Sequence, residues 1–131
     1  MNTVVVVFSG EYDLEFKEQF REELAQLAGI RNVILDCSDV TYLDSTILTE
    51  LIRLHRLRAE NRYERETIVL GRKHLVKLFD LLDLKKVFRL LDRVEDAFGD
   101  GGERDGAEVR HAFRGRVSPD LLWNDDREQA G

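Results

Sequence analysis

Asn32-Val33-Ile34-Leu35-Asp36, Cys37-Ser38-Asp39 and Val40-Thr41-Tyr42-Leu43-Asp44-Ser45-Thr46-Ile47-Leu48 form one continuous stretch whose reading decides the fold. Its first five residues are a short apolar run of the kind that fills a buried strand. A polar turn through Ser38 and Asp39 follows, then a second short run, Val40 to Leu43. Asp44, Ser45 and Thr46 have side chains that cap helices, and Ile47, Leu48, Leu51, Ile52, Leu54 and Leu57 then recur at helical spacing. The spacing puts Arg53, Arg56, Arg58, Glu60 and Arg62 on the outer face of that helix. Strand, turn, capped helix is the unit from which parallel sheets are built.

The same unit recurs on either side. Val4-Val5-Val6-Val7-Phe8 reads as a first strand, and Phe16, Phe20, Leu24 and Leu27 then mark a helix with Asp13 as its N-cap and Gly29 as its C-cap. Thr67-Ile68-Val69-Leu70 is a further buried strand, Leu75, Leu78, Phe79 and Leu82 a third helix, and Val87-Phe88-Arg89-Leu90-Leu91 a fourth strand. A last short helical piece spans Asp92 to Phe98. The order β-α-β-α-β-α-β predicts an α/β fold with a largely parallel sheet covered by helices. The expected core is Val5, Val7, Phe16, Phe20, Leu24, Leu27, Ile34, Leu51, Ile68, Leu70, Leu78 and Leu82.

Composition changes at Gly99. Residues 99–131 carry six of the nine glycines and the only proline, with no sustained period. We therefore expect a domain over residues 1–98 and a flexible or loosely docked tail over 99–131. Within that tail, Ser118-Pro119-Asp120-Leu121-Leu122-Trp123 has a helix-start pattern followed by large apolar residues. It reads as a segment docking on its own domain, with a peptide motif for a partner as the alternative.

Several function classes are excluded or disfavoured. A formal net charge of −6 opposes a dedicated nucleic-acid surface and docking on anionic membranes. The single cysteine, Cys37, forms no intrachain disulfide and reads as a small buried residue. His55, His74 and His111 have no cysteine at metal-ligand spacing, and no glycine-rich phosphate loop or nucleophile elbow occurs. Val4 to Phe8 is too short for a membrane span. We expect no catalytic residues, metal or cofactor, and a cytoplasmic protein.

The candidate site is the start of the second helix. A helix N-terminus presents unpaired N–H groups and the positive end of its dipole, so it accommodates a phosphate. Phosphorylation there would add about two negative charges while leaving the helix intact. The plainer reading is that Ser45 and Thr46 only cap the helix.

The segment from Val33 to Asp36 together with Val40-Thr41-Tyr42-Leu43-Asp44-Ser45-Thr46-Ile47-Leu48 resembles the signature of the STAS family, which comprises anti-sigma-factor antagonists and cytoplasmic domains of sulfate transporters. Phe8-Ser9-Gly10-Glu11-Tyr12-Asp13-Leu14 is similar to the family's first strand end. Leu78 to Phe88 is similar to its late helix and passage into the last strand, and Asp92 to Phe98 to its closing helix. The resemblance spans residues 3–98 and implies a STAS-like fold, a four- to five-stranded mixed sheet with helices mainly on one face. It implies a phosphoacceptor at Ser45, with Thr46 as second choice, and a partner-binding surface of Asp44, Ser45, Thr46, Ile47 and Glu50. It implies as partners an anti-sigma factor with a histidine-kinase-like ATPase fold and a serine phosphatase, and leaves homodimerisation open. The other reading is an unphosphorylated interaction or scaffold subunit of a signalling or transporter assembly. The chain departs from the family pattern twice. Ile47 stands where glycine is usual, which with the extra tail favours the scaffold and predicts added apolar surface. An extra strand before the first is missing, which predicts a sheet edge left short or for a partner to cover.

Overall fold

The computed structural model describes residues 3–98 and 106–117. Five strands form one sheet: β1 (Thr3–Tyr12), β2 (Asn32–Leu43), β3 (Thr67–Leu70), β4 (Arg89–Leu91) and β5 (Glu108–His111), in the order β4-β3-β2-β1-β5. Three helices, α1 (Lys17–Ala25), α2 (Ser45–Glu60) and α3 (Lys73–Leu81), connect them. Every strand pair in the ladder is parallel, as the alternation of strands and helices predicts, where the resemblance implied a mixed sheet. The reason is that β1 and β2, β2 and β3, and β3 and β4 are each joined by a helical crossover and none by a hairpin.

Alternation along β1 divides the two faces. Val4, Val6 and Phe8 point toward the helices and Val5 toward the opposite face, as the two-residue period of a strand requires. On the helix side they meet Phe20 and Leu24 of α1, Leu51 and Leu54 of α2, and Leu75 and Phe79 of α3. The other face is thinner. Val5, Ile34 and Val69 are covered there by Phe98 and by the 3-10 turn Val94–Ala97. Of the expected core, Leu82 is misplaced and 52% exposed. Helix α3 ends at Leu81, and Asp83 turns the chain at φ 56 before Leu82 can reach the interior.

The polar turn expected at Ser38 and Asp39 lies inside a strand. β2 runs on to Leu43, with a register shift against β1 between Val7 and Ser9. Asp36 makes this possible, because its Oδ1 accepts from Ser38 N at 3.1 Å and Ser38 Oγ at 2.6 Å. Polar groups satisfied by near neighbours need no turn, and Cys37 and Val40 beside them still enter the core.

Arg58, expected on the outer face of α2, is fully buried. Its guanidinium donates to the carbonyls of Ile30 (2.9 Å), Arg31 (2.7 Å) and Glu64 (2.9 Å), and pairs with the buried Glu66 carboxylate. The second Glu66 oxygen lies 2.8 Å from His55 Nδ1. A buried charge is tolerated only when paired and hydrogen-bonded, and here the whole fork is used.

Residues past 98 also pair with the sheet. Glu108–His111 lies beside Val4–Val7 of β1 and covers the sheet edge that the sequence left open. Val109 of this strand is 58% exposed, so backbone pairing holds the strand more than side-chain burial does. That is why composition did not reveal it. The following residues pack onto the end of β1. Gly115 N donates to Ser9 O at 2.7 Å, and Arg116 forms an antiparallel bridge with Glu11. Gly10, at φ 91, and Gly115 permit this approach, since a Cβ on Gly115 would sit 2.4 Å from Glu11 O. The Ser118–Trp123 pattern lies outside the described residues.

Candidate functional site

The ends of β1 and β2 and the start of α2 meet at the carboxyl edge of the sheet, and Asp44 joins them. Its backbone is extended, as an N-cap requires, and its Oδ1 accepts from Ile47 N at 3.1 Å. Its Oδ2 accepts from Leu14 N at 2.9 Å, in the loop that follows β1. One carboxylate therefore caps the helix and fixes the neighbouring loop.

Ser45 is the first residue of α2 and is exposed. Thr46 is half-buried and Thr49, one turn on, is exposed, with its hydroxyl donating to Ser45 O at 2.9 Å. The amides of Ser45 and Thr46 open the helix and have no carbonyl one turn back to bond to. A phosphate on Ser45 Oγ would meet these donors and the positive end of a 16-residue helix.

Two residues expected on this surface face inward. Ile47 is 0% exposed and belongs to the core between helices and sheet. Its bulk is spent on packing and adds no apolar surface beside Ser45. Glu50 is also buried, and accepts from Arg21 Nε and Nη2 at 2.9 Å each. This pair ties α1 to α2, with Arg53 at 3.4 Å. Hydrogen bonds from Arg21 hold the Glu50 carboxyl below the usual range. Helical periodicity counts Glu50 as an outer residue; only the packing of α1 against that face reveals the pair. Asp44, Ser45 and Thr46 thus remain together at the surface, and Ile47 and Glu50 lie beneath it.

Two residues at this edge were not singled out from the sequence. Leu14 is 63% exposed beside Asp44. Its position off the Phe16/Phe20/Leu24 stripe was the available signal. Arg116 had none, being about a hundred positions from its partners. It reaches Asp13 and Glu15 at 2.6 Å each and Glu11 at 3.4 Å, and lies over the Phe16 ring. The hydrogen bond from Arg116 holds the Asp13 carboxyl below its ordinary range. Beneath them, Tyr12, Phe16, Phe20 and Phe113 form an aromatic cluster, and Tyr12 donates its hydroxyl hydrogen to Phe113 O at 2.8 Å. Burial pushes the Tyr12 phenol up to about 12. The loop beside Ser45 is therefore gripped from one side by Asp44 and from the other by the C-terminal segment.

Among the described residues, no group of three His, Cys, Asp or Glu side chains could hold a metal ion, and no helix is long and apolar enough to cross a membrane. Cys37 is buried, which raises its thiol well above the ordinary value.

The STAS domain family model matches residues 1–97, and the chain belongs to that family. Among solved structures it is similar to the anti-sigma factor antagonist SpoIIAA in its unphosphorylated form: 19% identity, 76% of this chain and 87% of that one, TM-score 0.59. It is similar to the Bacillus cell fate determinant SpoIIAA in the phosphorylated form: 19% identity, 74% and 88% coverage, TM-score 0.58. A candidate anti-sigma factor antagonist from Thermotoga maritima gives 18% identity, 70% and 84% coverage and a TM-score of 0.61. At these identities the likeness is one of fold. No curated protein matches the chain.

Proposed function

We propose that this chain is an anti-sigma-factor antagonist, switched by phosphorylation at Ser45. The observation that carries the reading is the placement of Ser45. It is an exposed hydroxyl at the first position of a capped helix, with Ile47 and Glu50 beneath it fixed in the interior. A kinase can reach such a hydroxyl, and a partner seated on the helix start would sense the added charge. Asp44 and the Leu14 loop complete the contact surface. The partners are an anti-sigma factor with a histidine-kinase-like ATPase fold, which is also the kinase, and a serine phosphatase that resets the switch. The setting is the cytoplasm. Similarity to structures of both an unphosphorylated and a phosphorylated antagonist supports this reading. The scaffold alternative drew on the extra tail and on Ile47 as a surface residue, and of these Ile47 is buried.

The test is to capture the binding ATPase from native extract and incubate it with ATP and either the wild type or Ser45→Ala. Intact-mass analysis should show one added phosphate on the wild type and none on the variant, and Ser45→Asp should lose the partner. No mass gain, with partner binding indifferent to Ser45→Asp, refutes the switch.

A further inference from the structure

The opposite edge of the sheet carries a cleft that the Ser45 site does not use. β2 runs 12 residues from Asn32, in the cleft wall, to Leu43 beside Asp44. At roughly 3.3 Å per residue the two ends are about 35 Å apart. The cleft encloses about 960 Å³ and has four arginines in its wall, Arg31, Arg62, Arg65 and Arg89, against one carboxylate, Glu64. They converge from the segment before β2, the α2–β3 connection and β4. Ile34 and Phe98 add apolar surface. Arg65 donates to Lys85 O at 3.1 Å, while Arg31, Arg62 and Arg89 pair with no carboxylate among the described residues. Four cations to one anion is a local inversion in a chain of net charge −6.

Arg62 stands on the cleft wall just past the end of α2. It follows the C-terminus of α2 at φ 61, donating its amide to Ala59 O at 2.9 Å. This is the left-handed position where helices ordinarily place glycine, because a Cβ there is strained. Tyr63 N donates to Arg58 O at 3.1 Å in the same turn, so this conformation closes the helix and sets Arg62 on the cleft wall. Here the strained residue contributes a guanidinium.

We infer that this cleft binds a compact, multiply charged phosphate anion, free or carried on a small molecule. Guanidinium forks match phosphate oxygens in pairs. The volume is that of a small-ligand site, and the positive charge is gathered into one concavity.

The full chain is titrated with sodium tripolyphosphate, with heat and amide shifts as readouts. Saturable one-to-one binding is expected, with shifts at residues 31, 62, 65 and 89. Arg62→Gly and Arg89→Ala should each weaken it at least tenfold, while Arg56→Ala, an exposed α2 cation outside the cleft, should leave it unchanged. Arg62→Gly relieves the backbone strain, so its thermal midpoint should not fall, which separates lost binding from lost fold. Equal weakening by Arg56→Ala would mean non-specific attraction and overturn the proposal. So would absence of saturable binding in the wild type.

Discussion

Replacing Asp44 by alanine tests the architecture of the Ser45 end of the sheet most directly. The side chain makes two separable bonds, to Ile47 N at 3.1 Å and to Leu14 N at 2.9 Å. Loss of an N-cap costs about 1 kcal/mol, within a range of roughly 0.5–2. The Leu14 amide lies in an exposed loop, where water replaces the lost acceptor, so that bond contributes about 0.5–1 kcal/mol. Asp44→Ala should therefore destabilise the domain by about 1.5–2 kcal/mol. Asp44→Ser keeps a capping oxygen but has no second one for Leu14, and should recover about 1 kcal/mol of the loss. Urea unfolding gives the totals, and amide hydrogen exchange apportions them. In Asp44→Ala both Ile47 and Leu14 lose protection, and in Asp44→Ser only Leu14 does. A loss under about 0.5 kcal/mol in the alanine variant, or serine and alanine variants with the same exchange pattern, would refute the account of one carboxylate holding helix and loop.

Acid should uncover the α1–α2 tie. Glu50 has a folded-state pKa below its unfolded value, so its contribution is complete above about pH 4.3 and disappears as pH falls through the folded value. Thermal midpoints measured below pH 5 should decline less steeply for Glu50→Gln than for the wild type; parallel declines would contradict the assignment. Phe113→Ala removes a ring from the Tyr12–Phe16–Phe20 cluster and should cost about 2–3 kcal/mol, less than a fully buried phenylalanine. A neutral result by chemical denaturation would show that the C-terminal segment is not part of the folded unit. Cys37 is sealed and its thiol raised, so an alkylating reagent at neutral pH should label the native protein only as fast as it unfolds.

The order of strands and helices was legible in the sequence because short β-branched runs and amphipathic periods are local signals. Val33 to Leu35, Ile68 to Leu70 and the Phe20/Leu24/Leu27 stripe each report the element they form without reference to the rest of the chain. A cap within Asp44, Ser45 and Thr46 was legible too, since a cap is decided within four residues, whereas the structure shows that Asp44 fills it. What only the tertiary structure decided depends on partners distant in sequence. Arg58 reads as surface by periodicity, and burial suits it because carbonyls at positions 30, 31 and 64 and a carboxylate at 66 surround it. Glu50 faces inward because Arg21 of another helix meets it there. Glu108–His111 and Arg116 join the fold through backbone pairing and ion pairs, which carry no periodic hydrophobic trace. Local chemistry writes elements into sequence; pairing across a hundred residues is settled only when the chain has closed on itself.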